Sequence, residues 1–125
     1  MLGTKEAIAT IAVKDLAVGR KFYETVLGLK VVDAEGTEAV TFQSGPSKVL
    51  VYRSQFAGSN QATAVSFLVG RDLEGVVAAL KQKGVRFESY DFPEGTRKGD
   101  IYVFGDLQTT WFKDPDGNII ALINR

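Results

Sequence analysis

The 125-residue chain contains no cysteine and no histidine. Without cysteine it has no disulfide, no thiolate nucleophile and no thiolate metal site. Without histidine it lacks the side chain that proteins use most often as a general base near neutral pH and as a metal ligand. Any catalysis would therefore depend on carboxylates, lysine, tyrosine or hydroxyl groups that no imidazole activates.

An excess of charge of one sign is also missing, because fifteen Lys and Arg residues balance fifteen Asp and Glu residues. A net charge of zero gives no field that attracts nucleic acid or an anionic membrane, so neither is expected as a partner. No apolar run is long enough for a spanning helix, and the N-terminus lacks a signal-peptide pattern. Cytoplasmic residence is the remaining expectation.

The bulk composition is that of an ordinary soluble protein. Hydrophobic residues make up 45% of the chain and charged residues 24%, and a chain of this length buries a substantial core. We therefore predict a single domain over residues 1–125.

The first half of the chain predicts the order βαβββ. A strand at Glu6–Val13 precedes a helix with Asp15 as its N-cap and Gly28 at its C-terminal end. Three further strands are predicted at Leu29–Val32, Ala39–Gln43 and Val49–Arg53. Residues 54–63 are small and polar, which is typical of a connector.

The second half repeats this order. Asp72 is the predicted N-cap of a second helix, and Gly84 ends it. A long polar loop is expected at Glu88–Gly99, and the sequence Asp-Pro-Asp-Gly-Asn at 114–118 predicts a turn that closes a final hairpin. The predicted strands are Ala64–Val69, Val85–Phe87, Ile101–Phe104, Leu107–Phe112 and Ile119–Ile123.

The repeat decides the fold class. Two helices are too few for a doubly wound parallel sheet, and one βαβββ module cannot cover its own sheet. We therefore predict an α+β fold in which two tandem modules, about 5–53 and 64–125, form one curved mixed sheet around a cleft.

Three stretches carry a resemblance to a known family: Val-Lys-Asp-Leu at 13–16, Lys-Phe-Tyr-Glu-Thr-Val-Leu-Gly-Leu at 21–29 and the turn at 114–118. Through them the chain resembles the vicinal oxygen chelate superfamily, which includes glyoxalase I, extradiol dioxygenases, fosfomycin-resistance enzymes and bleomycin-resistance proteins. The resemblance implies the paired βαβββ fold. For the family's enzymes it also implies a divalent ion held by His, Glu or Gln side chains from four strands.

The resemblance places these four metal-ligand positions at Ile8, Val51, Ala64 and Ala121. None of these side chains can donate to a metal ion, and a shift of one residue along the strands does not restore a ligand set. Apolar side chains instead fill the space with dry surface, where a carboxylate without an ion would be costly. We therefore expect no metal, no cofactor and no catalytic residue.

Side-chain alternation along the strands extends the set of predicted cleft residues. Trp111 is the foremost candidate because an aromatic ring offers a large contact area at little entropic cost, although packing at a dimer contact or over the sheet explains it equally well. Tyr102 and Phe104 form either a wall beside the 94–99 loop or a hairpin packed on its own module. Arg53 is either an anion partner or, more often at a strand end, a solvated charge. The predicted ligand-binding residues are Ile8, Thr10, Val51, Arg53, Ala64, Ser66, Tyr102, Phe104, Trp111, Ile119 and Ala121.

These patterns favour a metal-free protein that binds a small molecule. The resemblance to the bleomycin-resistance branch implies an aromatic or antibiotic-like ligand held by sequestration, and a homodimer. One alternative is an enzyme of this fold, of lyase or dioxygenase type, that uses metal-independent chemistry through a tyrosine or carboxylate of the 88–100 loop. Another is an interaction or regulatory module whose cleft is filled by its own side chains.

Overall fold

A computed structural model describes residues 1–125 apart from the side chain of Glu35. The chain divides into two compact units, Met1–Ser59 and Asn60–Arg125, and the boundary falls inside the predicted connector. Each unit carries a helical layer and its own sheet, of four and five strands respectively. The tandem βαβββ order is therefore confirmed, whereas the hydrogen bonds form two sheets where the sequence predicted one.

The first unit follows the predicted order of elements. Its sheet has the order β1-β4-β3-β2, in which β1 runs parallel to β4 and the other pairs are antiparallel. The helix α1 is continued by one π-helical segment at Phe22–Val26. The bounds are β1 Ala9–Val13, α1 Leu16–Lys21, β2 Lys30–Glu35, β3 Ala39–Ser44 and β4 Ser47–Arg53.

The helix of the first unit begins and ends where its sequence predicts. The carboxylate of Asp15 accepts a hydrogen bond from the backbone N–H of Val18 at 3.1 Å, which satisfies one of the free donors of the first turn. Gly28 takes φ +76° after the π-helical segment, a conformation that glycine adopts without steric cost. Gly19 lets α1 approach β1 closely, because a Cβ there would lie 2.9 Å from the γ-carbons of Val13.

The second unit has the sheet order β5-β9-β8-β7-β6, with β5 parallel to β9. A short 3₁₀ segment at Gly70–Asp72 leads into α2. No helix among the described residues is long and apolar enough to cross a membrane. The bounds are β5 Thr63–Leu68, α2 Leu73–Gln82, β6 Thr96–Lys98, β7 Ile101–Phe104, β8 Leu107–Lys113 and β9 Ile119–Ile123.

Several predicted boundaries are wrong. The first strand begins at Ala9 rather than Glu6, and Asp72 makes no side-chain cap to α2. The predicted strand Val85–Phe87 is reduced to a single bridge between Phe87 and Phe112. The strand β6 instead forms inside the predicted loop, because Thr96–Lys98 pairs with the edge of β7.

The predicted final hairpin is confirmed by the contacts of Asp114. Its buried carboxylate accepts hydrogen bonds from the backbone N–H groups of Asp116 and Asn118, each at 2.9 Å, and from the Asn118 side chain at 2.8 Å. Gly117 supplies the positive φ, +92°, that closes the turn. This turn fixes the register in which Trp111 lies opposite Ala121.

Candidate functional site

The sheet of the second unit has one face under α2 and one face that α2 does not cover. Glu74 of α2 forms an ion pair with Lys98, which lies opposite Ile101 and on the same face as it. Because neighbours in a strand point to opposite faces, Tyr102 and its strand partner Thr109 belong to the other face. The register adds Trp111, Ala121 and Ser66 to that face as a row of direct partners.

Five aromatic rings meet on this second face, and we call them the aromatic cluster: Tyr90, Phe92, Tyr102, Phe104 and Trp111. The Phe92 ring lies at the centre, 5.3 Å from Tyr102 and 5.5 Å from both Phe104 and Trp111. These centroid distances and their mostly edge-to-face angles are those of favourable aromatic pairs. The loop before β6 therefore folds onto the sheet face and covers its aromatic side chains.

Polar contacts hold both ends of this loop. The backbone N–H of Glu88 donates to the Trp111 carbonyl at 2.8 Å, and that of Tyr90 donates to the Tyr102 hydroxyl at 2.6 Å. At the other end, the Arg97 guanidinium donates to Ser89 Oγ at 2.8 Å and lies 4.9 Å above the Tyr102 ring. Tyr102 thus anchors the loop at both ends.

The hydroxyl of Tyr90 differs from that of Tyr102. It is buried and has no hydrogen-bond partner among the described residues, which costs about 1–3 kcal/mol for a buried polar group. Burial raises the pKa of Tyr90 above 10.0, and the nearby Glu88 carboxylate adds to the rise. The group is therefore a neutral hydrogen-bond donor at physiological pH.

The structure brings three of the predicted residues, Tyr102, Phe104 and Trp111, into one cluster. It also adds Tyr90 and Phe92, which belong to the segment predicted as a polar loop. The signal that could have found them is the spacing of two aromatic side chains, two residues apart, in a segment otherwise made of polar residues and turn formers.

Of the remaining predicted residues of the second unit, Ile119, Ala121 and Ser66 lie on the same sheet face, whereas Ala64 falls at the irregularity between Thr63 and Val65 and has no partner in β9. Ile119 and Ala121 are buried in β9, whereas Ala64 and Ser66 are exposed in β5. Leu68, at the end of β5, is 69% exposed. Whether this apolar row binds a ligand stays a prediction.

In the first unit the structure corrects the assignment of Val51 and Arg53. In the parallel ladder Thr10 lies opposite Leu50, and Ile11 lies opposite Val51. Val51 is therefore on the face that packs under α1, where it is fully buried, while Thr10 points to the other face. The prediction that Val51 shares the cleft face with Thr10 is therefore wrong.

Arg53 is likewise on the face of Val51. It pairs with Glu38 at 3.3 Å and lines an open pocket of about 490 Å³ beside α1, together with Lys14, Arg20 and the buried Val40. Ile8 precedes β1 and is 43% exposed. Thr10 is exposed on the uncovered face, with Leu50 half-buried beside it.

These placements test whether the chain could hold the metal ion of the family it resembles. Thr10 pairs with Leu50 and Ser66 pairs with Ala121, so Leu50 rather than Val51 shares the uncovered sheet face with Thr10 in the first unit. Neither leucine nor alanine offers a donor atom. No three Asp or Glu side chains within the described part of the chain come together as a metal site. The residues present do not fit the ion.

Comparison with known proteins gives one family and a common fold. The family model described as Glyoxalase/Bleomycin resistance protein/Dioxygenase superfamily matches residues 7–122. No curated protein matches this chain by sequence.

Solved structures of similar fold include proteins of different described functions. An integron cassette protein from the mobile metagenome of the Halifax Harbour sewage outfall has a TM-score of 0.73 at 18% identity, over 98% of this chain and 99% of its own. Lactoylglutathione lyase from Agrobacterium tumefaciens has a TM-score of 0.72 at 16% identity, over 98% of this chain and 95% of its own. A mutant of the fosfomycin resistance protein FosX from Listeria monocytogenes, complexed with Mn(II), has a TM-score of 0.70 at 20% identity, over 99% of this chain and 91% of its own. At these identities the likeness shows the fold alone.

Proposed function

Because the chain belongs to the glyoxalase/bleomycin resistance protein/dioxygenase superfamily, we propose that it uses this fold to bind a small aromatic molecule without a metal ion. The aromatic cluster of the second unit carries the proposal. It gathers five rings on one sheet face, beside the row formed by Trp111, Ala121 and Ser66.

The cluster has the composition of a ligand site. Aromatic walls give large apolar contact area, and a few polar groups set orientation. Here the polar groups are the guanidinium of Arg97, which lies over the Tyr102 ring, and the Tyr90 hydroxyl, which has no hydrogen-bond partner among the side chains and backbone that the structure describes. A flat aromatic ligand would gain ring contacts with Trp111 and Tyr102 and one hydrogen bond.

The absence of donor side chains at the family's metal positions separates this chain from a metal-dependent relative. Leu50 and Ala121 provide apolar surface where a ligand set would need carboxylates or imidazoles. A carboxylate at the buried Ala121 would lack a compensating cation. The apolar positions suit a bound organic molecule instead.

The enzyme alternative has less support at the same site. A general base works best when its pKa lies near the working pH, whereas burial moves the pKa of Tyr90 further above neutrality. Tyr90 is then a donor to a ligand rather than a base. The carboxylate of Glu88, which lies nearby in the chain, is paired with Lys113 at 3.2 Å.

A thermal-shift panel tests the proposal. We expect planar aromatic compounds, with aromatic antibiotics among them, to raise the melting temperature, because ligands of the native state stabilise it. Divalent Mn, Ni and Zn in parallel wells are expected to leave the melting temperature unchanged. Compounds that bind should also change the fluorescence of Trp111, the sole tryptophan of the chain.

Matched variants locate the site. Trp111→Ala should abolish the shift caused by a binding compound, whereas Phe56→Ala removes an aromatic ring that is 71% exposed in the other unit and should not. A panel in which no aromatic compound binds, or in which a divalent ion stabilises the protein instead, would overturn the proposal. The homodimer implied by the family resemblance is a separate proposal, which sedimentation equilibrium measures.

A further inference from the structure

We propose that the ligand enters this site by replacing the Phe92 ring, and that it is a planar aromatic molecule whose hydrogen-bond acceptor meets the Tyr90 hydroxyl. The inference rests on the proposed function, since it names the ligand class and the entry step of the same site. It follows from three features of the loop that covers the aromatic cluster.

The first feature is the position of Phe92. Its ring contacts all four other rings of the cluster, at centroid distances between 5.3 and 6.0 Å, and yet 40% of the residue remains exposed. A core phenylalanine with so many aromatic neighbours is usually buried. Phe92 thus fills an aromatic site from the solvent side, as a ligand ring would.

The second feature is how the loop is held. Within the described part of the chain, the backbone of residues 91–95 makes no hydrogen bond, while Tyr90 before it and Thr96 after it are anchored. The short segment between those anchors is held down by the ring contacts of Phe92. Backbone that lacks hydrogen bonds opens at low free-energy cost.

Gly95 forms the hinge of this segment. It has φ +82°, and a Cβ there would lie 2.6 Å from both the Phe104 ring and the Val103 carbonyl. Only glycine lets the loop lie this close to β7. The closed position thus depends on one residue that can be altered without removing Phe92.

The third feature is the Tyr90 hydroxyl. It is buried and meets no hydrogen-bond partner in the described part of the chain, while the ring of Tyr90 lies 6.0 Å from Phe92 and 5.4 Å from Trp111. A ligand ring in the place of Phe92 is therefore a direct neighbour of Tyr90. Hydrocarbon rings leave the hydroxyl unpaired, and a ring with a carbonyl or similar oxygen satisfies it. This selects aromatic compounds with an acceptor.

The test uses two probes of similar shape, acetophenone, which has a carbonyl acceptor, and ethylbenzene, which has none. Titrations are followed by NMR through the indole N–H signal of Trp111, the single tryptophan. We expect wild type to bind acetophenone about tenfold more tightly than ethylbenzene, and Tyr90→Phe to lose that preference. Phe92→Ala should bind both probes about tenfold more tightly, because a competing internal ring lowers apparent affinity.

Gly95→Ala provides a second variant, which keeps the Phe92 side chain but prevents the loop from closing on Phe104. Like Phe92→Ala, it should increase the affinity for both probes, whereas the control Phe56→Ala should leave the affinity unchanged. Amide hydrogen exchange of wild type, which requires no probe, should be faster at residues 91–95 than in β8.

The outcomes separate this inference from the proposed function. Probe binding that is not tightened by Phe92→Ala or Gly95→Ala, or a preference for acetophenone that persists in Tyr90→Phe, overturns the inference and leaves the aromatic site standing. Exchange at residues 91–95 as slow as in β8 also overturns it. Failure of both probes to bind wild type and both loop variants also overturns the inference, and it overturns the proposed function as well when no aromatic compound of the thermal-shift panel binds.

Discussion

The backbone N–H of Tyr90 donates a hydrogen bond to the phenolic oxygen of Tyr102 at 2.6 Å. A side chain of the sheet thereby fixes a backbone position of the loop that covers it. The same Tyr102 ring also lies under the Arg97 guanidinium at 4.9 Å. Removing one oxygen atom from Tyr102 should therefore affect the loop without changing the ring packing.

Tyr102→Phe tests this relationship. We expect a loss of about 1–2 kcal/mol in the free energy of unfolding, since a partly buried N–H loses its acceptor. Urea denaturation measures the loss, and hydrogen exchange at Tyr90 should accelerate. Tyr52→Phe, at a tyrosine that is 38% exposed, is the control and should change stability by less than about 0.5 kcal/mol. Equal effects of the two variants would contradict the role of the Tyr102 hydroxyl.

Tyr90→Phe should have the opposite effect on stability. The buried hydroxyl of Tyr90 has no partner among the described residues, so its removal relieves a desolvation cost and should raise the free energy of unfolding by about 1 kcal/mol. A rise of roughly 4 °C in melting temperature is expected for a domain of this size. A lower melting temperature for the variant would mean that the hydroxyl makes a stabilising contact.

The pH dependence of stability offers an independent measurement on Tyr90. Its pKa is raised in the folded protein above the ordinary 10.0, chiefly by burial. Above pH 10 the unfolded chain therefore releases this proton while the folded chain retains it. The folded state then binds more protons, so stability is fully present below pH 10 and declines as pH rises through the folded pKa. Wild type should lose more stability than Tyr90→Phe as the pH rises above 10, and parallel pH profiles of the two proteins would contradict the raised pKa.

Ala121→Glu tests the absence of a metal site directly. Ala121 is 3% exposed and lies opposite both Ser66 and Trp111. A carboxylate there would be buried without a cation, and we expect a loss of roughly 3 kcal/mol or more. Ala64→Glu, at an exposed alanine of the same sheet, is the matched control. Recovery of Ala121→Glu stability by millimolar Mn(II) would show that a ligand set is present after all.

Gly19→Ala tests the close approach of α1 to β1. Alanine gains up to about 1 kcal/mol in helix propensity, but its Cβ would lie 2.9 Å from the Val13 γ-carbons, and overpacking costs about 1–3 kcal/mol. A net loss is therefore expected. In the Val13→Ala background the same substitution should cost less, and a double-mutant cycle by urea denaturation measures the difference. Additive effects would contradict the contact.

The βαβββ repeat is predictable from the sequence because short-range signals determine where its helices, strands and turns begin and end. The N-cap at Asp15, the glycine that ends the first helix and the Asp114–Asn118 turn all act within a few residues, and each is confirmed. Prediction is weaker for the sheet face that a residue occupies, because pairing with a neighbouring strand decides that face. Val51 was placed on the wrong face because alternation within β4 does not reveal which residue lies opposite Thr10.

At the candidate site, too, some residues are predictable from the sequence and others are placed only by long-range packing. The family resemblance supplied the metal-ligand positions, whose side chains offer no donor, and strand position gave Trp111, Tyr102 and Phe104 as aromatic candidates. It did not place Phe92 among them, because a loop residue is positioned by contacts with strands that lie distant in sequence. Long-range packing of this kind leaves little trace in local propensity.

By itself the sequence determined which chemistry is excluded and which elements form, since residue types and short-range hydrogen bonds suffice for both. The tertiary structure alone decided that five rings meet on one sheet face, that Phe92 lies at their centre and that the Tyr90 hydroxyl is buried with no partner among the described residues. Burial and ring contacts arise when the strands and the loop pack, because they depend on distances between residues that the chain order does not fix.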